Sequence, residues 1–171
     1  ILIGGGGHCK SVIDVAESAG YTILGILDRL EEVGKKVLAY EVIGVDDDIP
    51  LYVDKAEFVI TIGFIKNPAL RFKLYNKILE AGGKLATLIA STAHVSKYAK
   101  LGAGTVVMHQ AFVNAGAVIG DNAIINTFAN IEHDAHIGNQ CHISTGAMVN
   151  GDCVVGDNCF IGSQSVLANA I

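Results

Sequence analysis

The chain has 171 residues, 51% hydrophobic and 17% charged, which excludes a disordered polypeptide and leaves room for one ordinary domain or two small ones. Its net charge of −5 comes without any Lys/Arg-rich stripe, so nucleic acid is excluded as the expected partner. No apolar run approaches the roughly 20 residues that span a bilayer, and no charged segment precedes an apolar one near Ile1, so neither membrane nor secretion is expected. Aromatic residues make up only 6%, Trp is absent and Gly numbers 20, which predicts a core of small and β-branched side chains. The four cysteines form no CxxC pair and are read as reduced thiols of a cytoplasmic protein. With Ile1 in place of Met, the natural start is expected to lie upstream.

In chain order, Ile1–Ile3 reads as the end of an apolar strand that runs into Gly4-Gly5-Gly6-Gly7-His8-Cys9. Val12, Val15, Ala16 and Ala19 then follow a helical spacing closed by Gly20, and a second strand is predicted over Tyr21–Leu27, finishing at Asp28. Further strands are predicted at Phe58–Gly63 and Lys84–Ile89, on either side of a helix from Pro68 to Ala81. Strand–helix–strand alternation implies parallel βαβ units. The glycine loop resembles a dinucleotide fingerprint, and Asp28 lies about 20 residues on, where a ribose-binding acid would stand. Cys9 occupies the place of the third glycine, so a nucleotide of shorter reach is expected, such as the uridine diphosphate of a sugar nucleotide. A tight turn without a ligand is the alternative.

From Ile89 to Leu167 an aliphatic residue recurs at every sixth position, fourteen times without an insertion. Four residues after each stands a small one, such as Ala129, Ala135 and Cys141, until Ile171 breaks the rule. A period of six fits neither helix nor hairpin; it fits a triangular solenoid whose coil takes three hexads, about 18 residues. Folding at that length aligns Leu101-Gly102, Ile119-Gly120-Asp121-Asn122, Ile137-Gly138-Asn139-Gln140 and Val155-Gly156-Asp157-Asn158 on one side. Their Gly and Asx residues suit tight corners with φ > 0. Cys141, Cys153 and Cys159 become inward-facing core thiols. The expected architecture is therefore an α/β Rossmann-like domain with a short parallel sheet, residues 1–88, followed by a left-handed parallel β-helix of hexapeptide repeats, residues 89–171.

His133 is the third residue of its hexad, a position near a corner, and Asp134 stands beside it. Eighteen residues to either side lie Ala115 and Gly151, which predicts open flanks and room for a ligand against the imidazole. A histidine beside a carboxylate is the pairing needed for general-base catalysis near neutral pH; a solvated surface histidine is the alternative. His142, nine residues on, is expected to meet a second ligand, whereas His94, His109 and His136 are read as structural or surface residues. The spacing of His133, His136 and His142 does not reproduce the three-histidine zinc pattern of the gamma-class carbonic anhydrases, which use the same solenoid, so no metal is expected.

The glycine loop ending at His8, then Asp28, Ile62-Gly63, Ile125-Asn126-Thr127 and Ile131-Glu132-His133-Asp134, taken in this order, resemble the PglD/NeuD-type sugar O- or N-acyltransferases of bacterial glycan synthesis. That resemblance spans the whole chain and implies a homotrimer with active sites between neighbouring subunits and acetyl-CoA as co-substrate. It implies His133 as general base, Asp134 as the group that orients it (with Glu132 a weaker substitute), and the N–H of Gly151 as oxyanion donor. Asn126 would contact the sugar; His142 would lie near the CoA sulfur, with Ser163 a further contact. Gly6, Gly7, His8, Asp28, Arg29 and Gly63 would hold the nucleotide. The implied reaction is N-acetylation of a nucleotide-activated amino sugar of the UDP-4-amino type. O-acetylation of sialic acid and a non-catalytic β-helix binding module are the alternatives. Because the chain stops at Ile171 inside a hexad, the capping coils and much of the CoA site are expected to lie further on.

Overall fold

The computed structural model describes residues 1–171. Its first part is a five-stranded sheet in the order β3-β4-β2-β1-β5, built from β1 (Leu2–Ile3), β2 (Ile26–Asp28), β3 (Lys36–Val37), β4 (Tyr40–Val45) and β5 (Val59–Ile60). All pairs are parallel except the β3–β4 hairpin. Helix α1 (Gly7–Ser18) buries Cys9, Val12, Ile13 and Ala16, an i, i+3, i+4, i+7 stripe. It ends where Gly20 adopts φ +77° and Tyr21 N–H reaches back to the Ala16 carbonyl, a glycine stop of the kind only a residue without Cβ takes up at no cost. Helix α2 (Ala69–Glu80) covers β5 through Arg71, Leu74 and Ile78.

Several details differ from the sequence expectations, and the strand predicted over Phe58–Gly63 is confined to Val59–Ile60. The second strand is three residues long, not seven. The β3–β4 hairpin was not anticipated. Residues 84–89 do not form one strand: Leu85 makes a single bridge to Phe58, and only Leu88–Ile89 continues, as the first strand of the other sheet system.

That system is a left-handed parallel β-helix. Fourteen two-residue strands, β6 (Leu88–Ile89) to β19 (Val166–Leu167), start every sixth residue, and each pairs with the strand 18 residues away. Three faces result. The first holds β6, β9 (Val106–Val107), β12 (Ile124–Ile125), β15 (His142–Ile143) and β18 (Phe160–Ile161). The second holds β7 (His94–Val95), β10 (Phe112–Val113), β13 (Asn130–Ile131), β16 (Met148–Val149) and β19. The third holds β8 (Lys100–Leu101), β11 (Val118–Ile119), β14 (His136–Ile137) and β17 (Val154–Val155).

Inside, the aliphatic and small positions of the hexads form one continuous cluster from Val107 to Val155, with Cys141 and Cys153 fully buried among them. Burial pushes the Cys141 thiol up to about 11, as befits an unreactive core group. The outer side of the first face is not free: Leu88, Val106 and Met108 share an apolar cluster with α1, Leu2 and Val59, so the α/β layer and the solenoid are packed together.

The expected left-handed corners fall on the Asx residues of the aligned blocks, Asn122 and Asn158, and not on their glycines. The left-handed residue is the fourth of each hexad, recurring every six positions from Gly104 to Ala170, and includes Asn122 (φ 51°) and Gln140 (φ 58°). The aligned Gly120 and Gly138 are needed for close approach instead. A Cβ on Gly120 would lie 2.6 Å from Asn139 Oδ1, and one on Gly138 would lie 2.6 Å from Asp157 N. These carboxamide and carboxylate groups stitch coil to coil: Asn139 Oδ1 accepts from Asp121 N–H at 2.8 Å, and Asp157 Oδ1 accepts from Asn139 N–H at 2.6 Å. Gly156, by contrast, has nothing near its Cβ position. Gly138→Ala should therefore cost about 1–3 kcal/mol of stability through overpacking, whereas Gly156→Ala should stay within about 0.5 kcal/mol of wild type. Urea unfolding of the two variants makes the comparison.

Candidate active site

The glycine loop leaves the C-terminal end of β1, whose neighbours β2 and β5 lie on opposite sides. This is the switch point at which open parallel sheets bind ligands. Gly4, at φ +101°, makes the turn, and Gly6 caps α1. Asp28, at the end of β2, accepts from Gly5 N–H through Oδ2 and from Arg29 N–H through Oδ1, both at 2.7 Å. Its carboxylate thus pins the loop and keeps further lone pairs for a ligand hydroxyl. Cys9, in place of the third glycine, is fully buried between helix and sheet.

The nucleotide set of the sequence reading is split between two hollows. Asp28 and Arg29 line one of about 230 Å³, together with Asp46, Lys73 and Lys77. Gly6, Gly7, His8 and Gly63 line another of about 710 Å³, and His142 joins them there. Phe64, Ile65 and Lys66, which sequence reasoning missed, complete the second hollow; their position just beyond β5, on the ligand side of the sheet, was the available signal.

His142 is fixed on both sides. Its Nδ1 lies 2.8 Å from the Phe64 carbonyl oxygen, which only accepts, so Nδ1 carries the proton. Its Nε2 faces Asn126 Nδ2 at 3.1 Å, and Asn126 is held in that orientation because its Oδ1 accepts from Thr127 N–H at 2.8 Å. The rings of Phe64 and Phe160 pack edge-on against His142. Ser163 lies about one coil further, hydrogen-bonded to Ser144.

His8 lies within 6.4 Å of His142, ring to ring, and its Nε2 is enclosed without a partner. Burial, then the charges of Arg71 and His142, push His8 down to about 4; burial and the same arginine lower His142.

His133, Asp134 and Gly151 meet elsewhere, at the corner between the second and third faces. His133 Nδ1 is 3.0 Å from Asp134 Oδ2, leaving Nε2 as the acceptor, and this hydrogen bond raises the pKa of His133. Glu132 does not touch the ring: it accepts from Asn114 and Asn130 side chains, which hold it below the usual carboxylate range. The space over Gly151 is taken by the imidazole itself, with Nε2 2.7 Å from where a Cβ would be, while the His133 side chain stays 61% exposed. The N–H of Gly151 donates to nothing within the chain. One chain therefore carries two separate groupings, His133–Asp134–Gly151 and Asn126–His142–His8, on corners flanking the second face.

Residues 1–78 match the PglD N-terminal domain, and residues 134–169 match the bacterial transferase hexapeptide of six repeats. The acetyltransferase domain of PglB from Neisseria gonorrhoeae FA1090, solved in complex with acetyl coenzyme A, is similar at 31% identity and a TM-score of 0.89, over 99% of this chain and 81% of that one. PerB from Caulobacter crescentus, solved in complex with CoA and GDP-perosamine, is similar at 30% identity and a TM-score of 0.82, over 99% and 88%. WeeI from Acinetobacter baumannii AYE shares the fold at 20% identity, with a TM-score of 0.84 over 98% and 79%. No curated protein sequence matches the chain. Fold and repeat together define an acyltransferase of the hexapeptide class. The chain belongs to the PglD/NeuD-type acetyltransferases.

The depressed His8 carries a stability consequence. Below about pH 6.5 the unfolded chain takes up a proton that folded His8 refuses until the pH nears about 4. Stability is thus fully present above 6.5 and falls across that window; His8→Gln should flatten the fall, leaving the part due to His142. Thermal melting between pH about 4 and 8 measures it.

Proposed function

We infer that the protein transfers the acetyl group of acetyl-CoA to the amino group of a nucleotide-activated amino sugar. The observation that carries this reading is His133: an exposed imidazole polarised by Asp134, lying on a glycine whose N–H is unpaired. Support comes from PglB, solved with acetyl coenzyme A, and PerB, solved with CoA and GDP-perosamine.

Acetyl-CoA supplies the acetyl group as a thioester. His133 Nε2 accepts the proton lost by the sugar amine as its nitrogen bonds to the acetyl carbon, while Asp134 holds the proton on Nδ1 and stabilises the imidazolium. The thioester C–S bond then breaks, and the departing CoA sulfur takes that proton from His133 and leaves as the free thiol. The free N–H of Gly151 offers a hydrogen bond to the oxygen on which charge develops. Gly6, Gly7, His8 and Gly63 take the nucleotide in the larger hollow, Asp28 and Arg29 reaching its far end. The sugar runs past His142 and Asn126, and Ser163 contributes on the CoA side.

Within one chain His133 stands across the second face from Asn126. That face presents Phe112, Met148 and Val166 outward, with Phe128 at its edge. A homotrimer that buries these side chains brings the Asn126 corner of one subunit to the His133 corner of the next, and the active site lies between them.

Free-thiol release from acetyl-CoA, screened against UDP-, dTDP- and GDP-amino sugars and sialic acid, tests the substrate. Turnover of sialic acid alone replaces N- by O-acetylation; turnover of none leaves a binding module. His133→Ala should lower acetyl transfer by about 10²–10⁴-fold. Mixing refolded His133→Ala subunits with Asn126→Ala subunits should recover part of the lost rate, since some sites then combine two intact corners; no recovery would place the whole site within one chain.

The pH profile adds a check. The base acts deprotonated and its pKa is raised by Asp134, so the acidic limb of kcat should lie above pH 6.5, the ordinary value for histidine. Asp134→Asn should move that limb down in pH and lower the plateau rate.

A further inference from the structure

Arg71, near the start of α2, is 1% exposed and pairs with no carboxylate. A buried cation without a counter-charge is tolerated only where every donor is matched, and a methionine of similar volume would fill the space with less penalty. Here all five N–H groups are matched. Nη1 donates to the carbonyls of Ile60 at 2.6 Å and Ile62 at 3.0 Å. Nη2 donates to the Asn122 carbonyl at 3.0 Å and to its Oδ1 at 2.6 Å, and Nε donates to the same carbonyl at 3.2 Å.

The two ends of this fork belong to different parts of the molecule. Ile60 and Ile62 belong to the segment leaving β5, whose next residues line the larger hollow. Gly63, directly after them, would place a Cβ 3.8 Å from His8 and 3.9 Å from His142. Phe64, one further on, supplies the carbonyl that orients His142. Asn122 is a left-handed corner of the solenoid, itself held by Gln140 through a 2.6 Å side-chain bond.

We propose that Arg71 is a positioning residue for the transfer reaction: it pins the Ile60–Phe64 segment to the Asn122 corner and so fixes His142 as the Nδ1–H tautomer, its Nε2 turned to Asn126. This rests on the reading of the larger hollow as the sugar-nucleotide site. Burial and the nearby guanidinium both hold His142 below its ordinary value, which favours the same neutral form. Lysine does not substitute: a single ammonium cannot span two carbonyls on one segment and the carbonyl and amide oxygen of a residue on another.

Side-chain 15N shifts of the histidines test this in the full chain. In wild type near pH about 7, His142 should show a protonated Nδ1 and an unprotonated Nε2. Arg71→Lys should give a mixture of tautomers and lower kcat/KM for the sugar nucleotide by roughly tenfold or more, from lost positioning. Tyr75→Phe removes the other α2–solenoid bond, from Tyr75 Oη to Asp121, and should leave the His142 signals and kcat/KM in place. If Arg71→Lys fails to fold, Asn122→Gly keeps the corner conformation, removes one acceptor of the fork, and should shift the tautomers the same way. An Nε2–H or charged His142 in wild type overturns the proposal, as does a folded Arg71→Lys with unchanged signals or a Tyr75→Phe with the same change. Should wild type turn over no sugar nucleotide, the functional reading fails while the 15N result still decides the role of Arg71.

Discussion

A chain that closes a triangular coil every eighteen residues must send one aliphatic and one small side chain inward from each side, and must turn each corner through a left-handed residue. Ile131, Ile137 and Ile143, one per face, are buried in this way with Ala135 and Cys141 between them. Each such aliphatic side chain contributes about 1.5–3 kcal/mol, and each parallel ladder satisfies the backbone only if the coils above and below keep the same register. Everything else follows from that register: which side chains point out, which corner carries His133, and which face is left for the α/β layer to cover.

Because the inward rule admits few residue types and repeats without interruption, the solenoid could be read directly from the chain. The α/β part was legible only where a long periodic stripe existed, as in α1. The β3–β4 hairpin was not, since β3 is only two residues long at the sheet edge and β4, though six residues long, buries only Val42 and Gly44. The aligned Gly120 and Gly138 looked like conformational necessities and turned out to be steric ones, because the distinction depends on what the next coil places against them. Likewise the residues Ala115 and Gly151 correctly marked small neighbours of His133, but spacing alone could not show that the imidazole would lie down onto Gly151. The division of Asp28 and Arg29 from His8 and Gly63 into separate hollows depends on the three-dimensional course of the segment after β5, for which single-sequence patterns hold no record.

The histidines show how environment assigns chemistry to one side-chain type. His133 sits in solvent with a carboxylate on Nδ1, which favours its protonated form and makes it a willing proton acceptor at Nε2. His8 and His142 sit in a partly enclosed hollow near a buried guanidinium, which favours their neutral forms and suits them to direct hydrogen bonding. The two behaviours are separated by one face of the prism, so that the two sets of histidines do not perturb each other within a chain.

The packing of the α/β layer onto the first face also makes the protein's length quantised. Helix α1 engages the solenoid at Leu88 and Val106, while His133 stands higher up the same stack. An insertion of a few residues between them would rotate every later corner onto the wrong face, whereas one of eighteen would lift His133 by a single strand spacing, about 4.8 Å, and keep its orientation. The height of His133 above the α1 contact is therefore set in whole coils, except where an insertion loops out at a corner and leaves the register unchanged. Finer adjustment falls to the loop after β5.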